Sequence, residues 1–164
     1  MSVNGAVVRI SAPDLEWLRT ADPGAIDEKT EGWFWSDNPR SFEMEKGYAG
    51  IHFLLTGVDS GGEGPLSFIG NQEYGEELNY EFAYGPARVF PPDSVKAIHR
   101  ALQDLSPTVV KKRLKDPALE QVYPFSMRSV DEEDHKRLEE LLEQLRSYVS
   151  TAADAGDAIM VAIL

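Results

Sequence analysis

The side chains in this sequence whose type and setting best suit them to chemistry are His52, Tyr84, Arg88 and Tyr123. Each is a polar-tipped residue in an apolar or turn context, and each needs a hydrogen-bond partner once buried. His52 follows Tyr48 by one helical turn and adjoins Ile51, so it stands on the flank of an apolar stripe. A histidine there is either a satisfied group at the edge of a core or an acid and base near neutral pH. If the four converge, they make a small polar pocket with a titratable imidazole, two phenols and a guanidinium suited to an anionic ligand's carboxylate or phosphate. If they do not, Arg88 and the tyrosines pin the Tyr84-Gly85-Pro86-Ala87-Arg88 turn to the helix bearing His52. These four are the ligand-binding candidates, and convergence decides between the two outcomes.

Other chemistries find no support. The chain has no cysteine, which excludes disulfides, thiolate metal sites and a cysteine nucleophile. Among His52, His99 and His135 no pair lies within the spacing of about two to five residues that zinc sites use, so neither a metal nor a cofactor is expected. Gly57, Gly61, Gly62 and Gly64 form a glycine-rich loop, but it leads to Pro65 rather than to a Lys-Ser or Lys-Thr opening a helix, and it reads as a surface loop rather than a phosphate cradle. Ser60 and Ser67 lie in no Gly-x-Ser-x-Gly elbow. With 28 Asp and Glu, some pair of carboxylates can always be found, so their existence points to no reaction.

Those 28 acidic residues face only 16 Lys and Arg, a net charge of −12. Such a field repels nucleic acid and attracts basic proteins. The one basic run, Lys111, Lys112, Arg113 and Lys115, reads as a solvated face near a helix end. The opening residues MSVNGAVVRISAPDLEW carry no basic region and no long apolar core, and no stretch approaches the ~20 apolar residues of a membrane span. A cytoplasmic protein without a membrane partner is expected; nothing in the pattern specifies an oligomeric state.

The elements that must position the candidates follow from periodicity. Residues 5–10, GAVVRI, read as a strand, and Ser11 to Asp14 cap a short helix through Leu15, Trp17 and Leu18. Residues 22–39 read as a long connection in which at least two of Trp33, Phe34 and Trp35 are buried anchors. Met44, Tyr48, Ile51 and Leu55 recur at helical spacing and predict a helix over 41–55, closed by Gly57, with Gly47 and Gly50 marking close packing or a bend. Asn79 to Tyr84 alternate as a half-buried strand, and Arg88 to Phe90 extend again after the Gly85-Pro86 turn. Pro91-Pro92-Asp93 and Ser106-Pro107 open two further helices. The longest apolar stripe, Leu138 to Ala152, predicts a helix whose capping box begins at Ser129 and which ends at Gly156. The closing AIMVAIL is a strand buried on both faces, pairing with residues 5–10. The fold class is α+β: a single domain over 1–164, with a mixed or antiparallel sheet that includes the N- and C-terminal strands and packs against several helices.

Several segments together resemble the YfbM-like family, a bacterial family known as domain of unknown function 1877. They are Glu45 to Gly57, then Gly64-Pro65-Leu66, Tyr84 to Arg88, Val122-Tyr123-Pro124, and the leucine-rich helix with its terminal strand, in family order from about residue 41 to the end. The resemblance implies one α+β domain with helices on a sheet and carries no established reaction, so it transfers no catalytic residue. Gly47 and Tyr48 stand where the family suggests a bulkier residue, often tryptophan, and the aromatics at 33–35 are the side chains available to fill that space.

Two functions are compatible with these features. One is a non-enzymatic protein whose acidic surface or groove holds a basic protein partner, as an inhibitor or immunity-type protein does. The alternative is a small-molecule binding protein or enzyme using the pocket around His52 and Arg88 for an anionic ligand.

Overall fold

The computed structural model describes residues 3–34, 37–82 and 84–164. Strand β1 (Gly5–Ile10) leads into α1 (Ala12–Thr20) and α2 (Pro23–Thr30), then β2 (Ser41–Glu45) and α3 (Tyr48–Thr56). A hairpin, β3 (Glu76–Phe82) and β4 (Gly85–Phe90), is followed by α4 (Pro92–Asp104), α5 (Pro107–Leu114), α6 (Glu132–Ala155) and β5 (Ala158–Ile163). The five strands form one sheet in the order β2-β1-β5-β4-β3, with every neighbouring pair antiparallel. The apolar C-terminal run is its central strand, with Gly5 opposite Ile163 and Ile10 opposite Ala158.

Strand alternation sorts side chains between two cores. Val7, Phe90, Ile159 and Val161 face the larger core, built on α3, α4, α5 and α6. Ala6, Val8, Ile10, Ala87, Val89 and Met160 face a smaller one covered by Leu15 and Leu18 of α1, Ile26 of α2 and Phe34. Phe34 is buried and Trp33 half-buried; Trp35 lies outside the described residues. Both described aromatics pack on the α1–α2 side, away from Tyr48, which packs with the larger core, so they do not fill the space beside Gly47.

Two elements depart from expectation. The helix expected over 41–55 is a strand and a shorter helix: Phe42 pairs with Val7 and Glu43 with Ala6 before the chain turns at Gly47 into α3. Phe42 and Met44 pack toward the larger core while Glu43 and Glu45 are exposed, a period of two that the coincidental spacing of Met44 and Tyr48 conceals. The expected connection over 22–39 contains α2, whose only buried residues are Ile26 and Thr30, too few for an apolar stripe. Gly47 and Gly50 do mark close packing: a Cβ would stand 2.7 Å from a Leu141 methyl at the first and 2.8 Å from a Leu138 methyl at the second, so α3 lies tight against α6.

Smaller shifts concern the caps. The capping box of α6 is Asp131 with Asp134, two residues later than expected. Lys111, Lys112 and Lys115 are solvated, but Arg113 turns inward and its Nη1 donates to the carbonyls of Leu54 and Leu55, 2.8 Å each, capping the C-terminus of α3 beside Gly57. Among the described residues no helix is long and apolar enough to cross a membrane.

Candidate functional site

The fold brings His52, Tyr84, Arg88 and Tyr123 to one cleft of about 550 Å³ beside the larger core. His52 comes from α3, Arg88 from β4, Tyr84 from the hairpin turn before β4, and Tyr123 from the segment between α5 and α6. Tyr48, one turn before His52, joins them, with its ring 6.2 Å from that of Tyr123. It was visible in the sequence only as part of an apolar stripe.

His52 is only 1% exposed. Its Nδ1 accepts the Gly70 N–H at 3.1 Å, and a Cβ on Gly70 would stand 2.7 Å from the ring's Cγ, so only glycine lets the backbone lie this close to the imidazole. With Nδ1 an acceptor, the ring hydrogen sits on Nε2, and Nε2 finds no partner among the described residues. A buried donor left so costs about 1–3 kcal/mol. Burial pushes the His52 pKa down to about 4; the Gly61 carbonyl and the Asp59 carboxylate oppose this and Arg88 reinforces it. The Gly61 carbonyl acts as a nearby dipole, since it does not reach hydrogen-bond geometry with Nε2. The imidazole is therefore uncharged at neutral pH, a hydrogen-bond donor rather than an acid.

Arg88 is 5% exposed and spoken for by backbone. Nη1 donates to the Tyr74 carbonyl at 2.9 Å, and Nη2 to the Ile69 carbonyl at 3.0 Å and, at 3.5 Å, that of Phe68. It closes the 68–74 loop onto β4. Burial lowers its pKa against the pull of Glu77. The guanidinium thus stands at the cleft without an open fork to offer a carboxylate or phosphate. The tyrosines are freer. The Tyr123 hydroxyl accepts the Val3 N–H at 3.4 Å, Tyr84 is 41% exposed at the mouth, and burial, helped by Tyr123 and Tyr84, raises the Tyr48 pKa. The four side chains line one cleft, and the result is a donor-lined, aromatic surface around a buried, neutral imidazole.

The opposite sheet face carries a second cleft, of about 690 Å³, where α1 and α2 leave the sheet uncovered. Asp27, Glu28 and Glu31 approach it from α2 and the turn after it, Glu43 and Glu45 from edge strand β2, and none of its lining residues is Lys, Arg or His. Phe34, Tyr80 and Phe82 form its aromatic wall, with Phe82 edge-on to both Phe34 (5.3 Å between ring centres) and Tyr80 (4.7 Å). The Tyr80 hydroxyl donates to Asp27, which raises the Tyr80 pKa. Glu45 meets Arg137 at 3.6 Å, while Glu28, Glu31 and Glu43 form no ion pair among the described residues. No local motif marks this groove. No group of three or more His, Asp or Glu among the described residues is placed to hold a metal ion.

An open five-stranded antiparallel sheet with helices on both faces defines an α+β domain that presents a concave surface on each side of its sheet. The chain belongs to the family described as domain of unknown function DUF1877, whose model matches residues 1–162 and so extends the likeness over the first 40 residues. It is similar in structure to the crystal structure of a protein of unknown function, YfbM from Escherichia coli, with a TM-score of 0.72 and 19% identity over 98% of this chain and 99% of that one. At that identity the likeness shows the fold alone. No curated protein matches the sequence.

Proposed function

We propose that this is a non-enzymatic binding protein whose acidic groove holds a basic segment of a protein partner, as an inhibitor or immunity-type protein does. One observation carries the reading: five carboxylates ring an aromatic-walled groove whose lining contains no cationic side chain. Clustered carboxylates repel one another, and an incoming Lys or Arg relieves that repulsion while its stem or guanidinium packs on the aromatic wall. The anionic-ligand alternative is weaker, because Arg88 is held by carbonyls and His52 is neutral. The proposal includes a bacterial cytoplasmic setting, the first supported by the likeness to a protein from Escherichia coli and the second by the cysteine-free composition.

Fluorescence anisotropy with labelled hexa-arginine, against hexaglutamate as the control, tests it. The expected result is saturable, salt-sensitive binding of hexa-arginine alone, weakened about tenfold or more by Glu31→Lys with Glu43→Lys. Glu133→Lys with Glu139→Lys, on the exposed face of α6, changes the net charge equally and should leave most of the binding intact. Equal weakening by the two pairs would reduce the groove to its share of the overall charge and overturn the proposal.

A further inference from the structure

We propose that the tyrosine cleft is a separate site for an uncharged, ring-shaped small molecule bearing a carbonyl acceptor, which takes up the Nε2–H of His52. The Gly70 N–H held by Nδ1 fixes the donor on the other nitrogen, because a hydrogen on Nδ1 would meet that N–H head-on. Nε2–H is thus a buried donor on a cleft-lining residue that completes no hydrogen bond among the described residues, the Gly61 carbonyl nearby lying outside hydrogen-bond geometry, and native proteins rarely leave such a group unmatched.

The surroundings set the ligand's charge and shape. A cation would approach the buried Arg88 guanidinium, and an anion would pass Asp59 at the cleft without gaining Arg88, whose terminal nitrogens are held by Ile69 and Tyr74. A neutral molecule meets neither penalty. The tilted rings of Tyr48 and Tyr123 and the exposed ring of Tyr84 offer flat apolar surface with hydroxyls at its edge, which suits a planar ring. A cleft of about 550 Å³ lies within the range of small-molecule sites. This proposal is independent of the acidic groove, which lies on the other face of the sheet.

The probes are nicotinamide, uracil and 2-pyridone, each a neutral ring with a carbonyl, with benzoate and benzylamine as charged rings of similar size. Nitrogen-15 spectra of the intact protein's histidines report on the site directly. At least one neutral probe at ~10 mM should move the His52 Nε2 resonance saturably, and neither charged ring should. Tyr84→Ala, at an exposed position that leaves the core untouched, should weaken that probe about threefold or more with the His52 tautomer unchanged. His52→Phe should abolish the response of neighbouring amides to the probe. Failure of all three neutral probes, a charged ring binding as well as a neutral one, or unchanged affinity in Tyr84→Ala overturns the proposal, whatever hexa-arginine does at the groove.

Discussion

The two faces of the sheet handle charge in opposite ways. Beside the larger core the charged group is buried and satisfied: the terminal nitrogens of Arg88 go to backbone carbonyls, and His52 next to it is held neutral. On the α1–α2 side the groove's charges stay at the surface, with Glu28, Glu31 and Glu43 in no ion pair among the described residues. A charge that has been desolvated must be matched inside the fold, and once matched it does structural work. A charge left in water keeps its field for a partner. Of the two faces, then, the one with conspicuous polar residues in its sequence spends its guanidinium on the fold, and the one without such a motif keeps most of its carboxylates unpaired.

The largest expected effect tests the structural role of Arg88. Arg88→Met keeps the stem's volume but strands the carbonyls of Ile69 and Tyr74, and should lower stability by about 3 kcal/mol in urea unfolding. Glu31→Lys with Glu43→Lys should change stability by less than about 0.5 kcal/mol per site. A small effect of Arg88→Met would mean that the 68–74 loop is held by other contacts and that the guanidinium is free for a ligand after all.

A middle-sized effect comes from His52. Its folded pKa of about 4 lies below the ordinary histidine value of 6.5, so between the two the unfolded chain binds the additional proton. Stability therefore rises with pH through this window, is complete above about 6.5 and is lost as pH falls toward 4. The loss should reach about 2–3 kcal/mol at pH 4. Carboxylates titrate in the same window, so the quantity to measure is the difference between the native chain and His52→Gln from pH 7 to pH 4. Parallel curves would show that His52 takes up its proton in the folded state, with Asp59 overcoming burial and Arg88.

The sequence was most legible where a single periodicity ran uninterrupted. Strands β1 and β5, their pairing, and helices α1, α4, α5 and α6 follow from runs such as GAVVRI, AIMVAIL and the leucine stripe. The elements misread, α2 and β2, bury too little to leave a pattern: Ile26 and Thr30 in one, Met44 in the other. They are also the elements that supply the groove's carboxylates. Glu43 and Glu45, read as helix residues, and Asp27, Glu28 and Glu31, read as loop, had no reason to meet. The tyrosine cleft was legible as a set of residues, since His52, Tyr84, Arg88 and Tyr123 do share it. What those residues do there was not, because it depends on the carbonyls and the N–H of the 68–74 loop, and backbone groups leave no mark in a sequence.

The smallest expected effect sharpens the contrast on the groove side. Tyr80 is half-buried, packs edge-on against Phe82 and gives its hydroxyl to Asp27, so the wall and one carboxylate are coupled. Tyr80→Phe keeps the ring and removes the hydroxyl, and at this wet site it should cost less than about 1 kcal/mol. If the groove holds its charge for a partner, releasing the Asp27 carboxylate should strengthen hexa-arginine binding by about twofold to fivefold, and the gain should shrink in high salt. If binding instead weakens, the Tyr80 hydroxyl itself contacts the guest or holds Asp27 in the geometry a guanidinium needs. The groove would then resemble the other face more closely than its charges suggest, with its polar groups fixed in place rather than merely left in water.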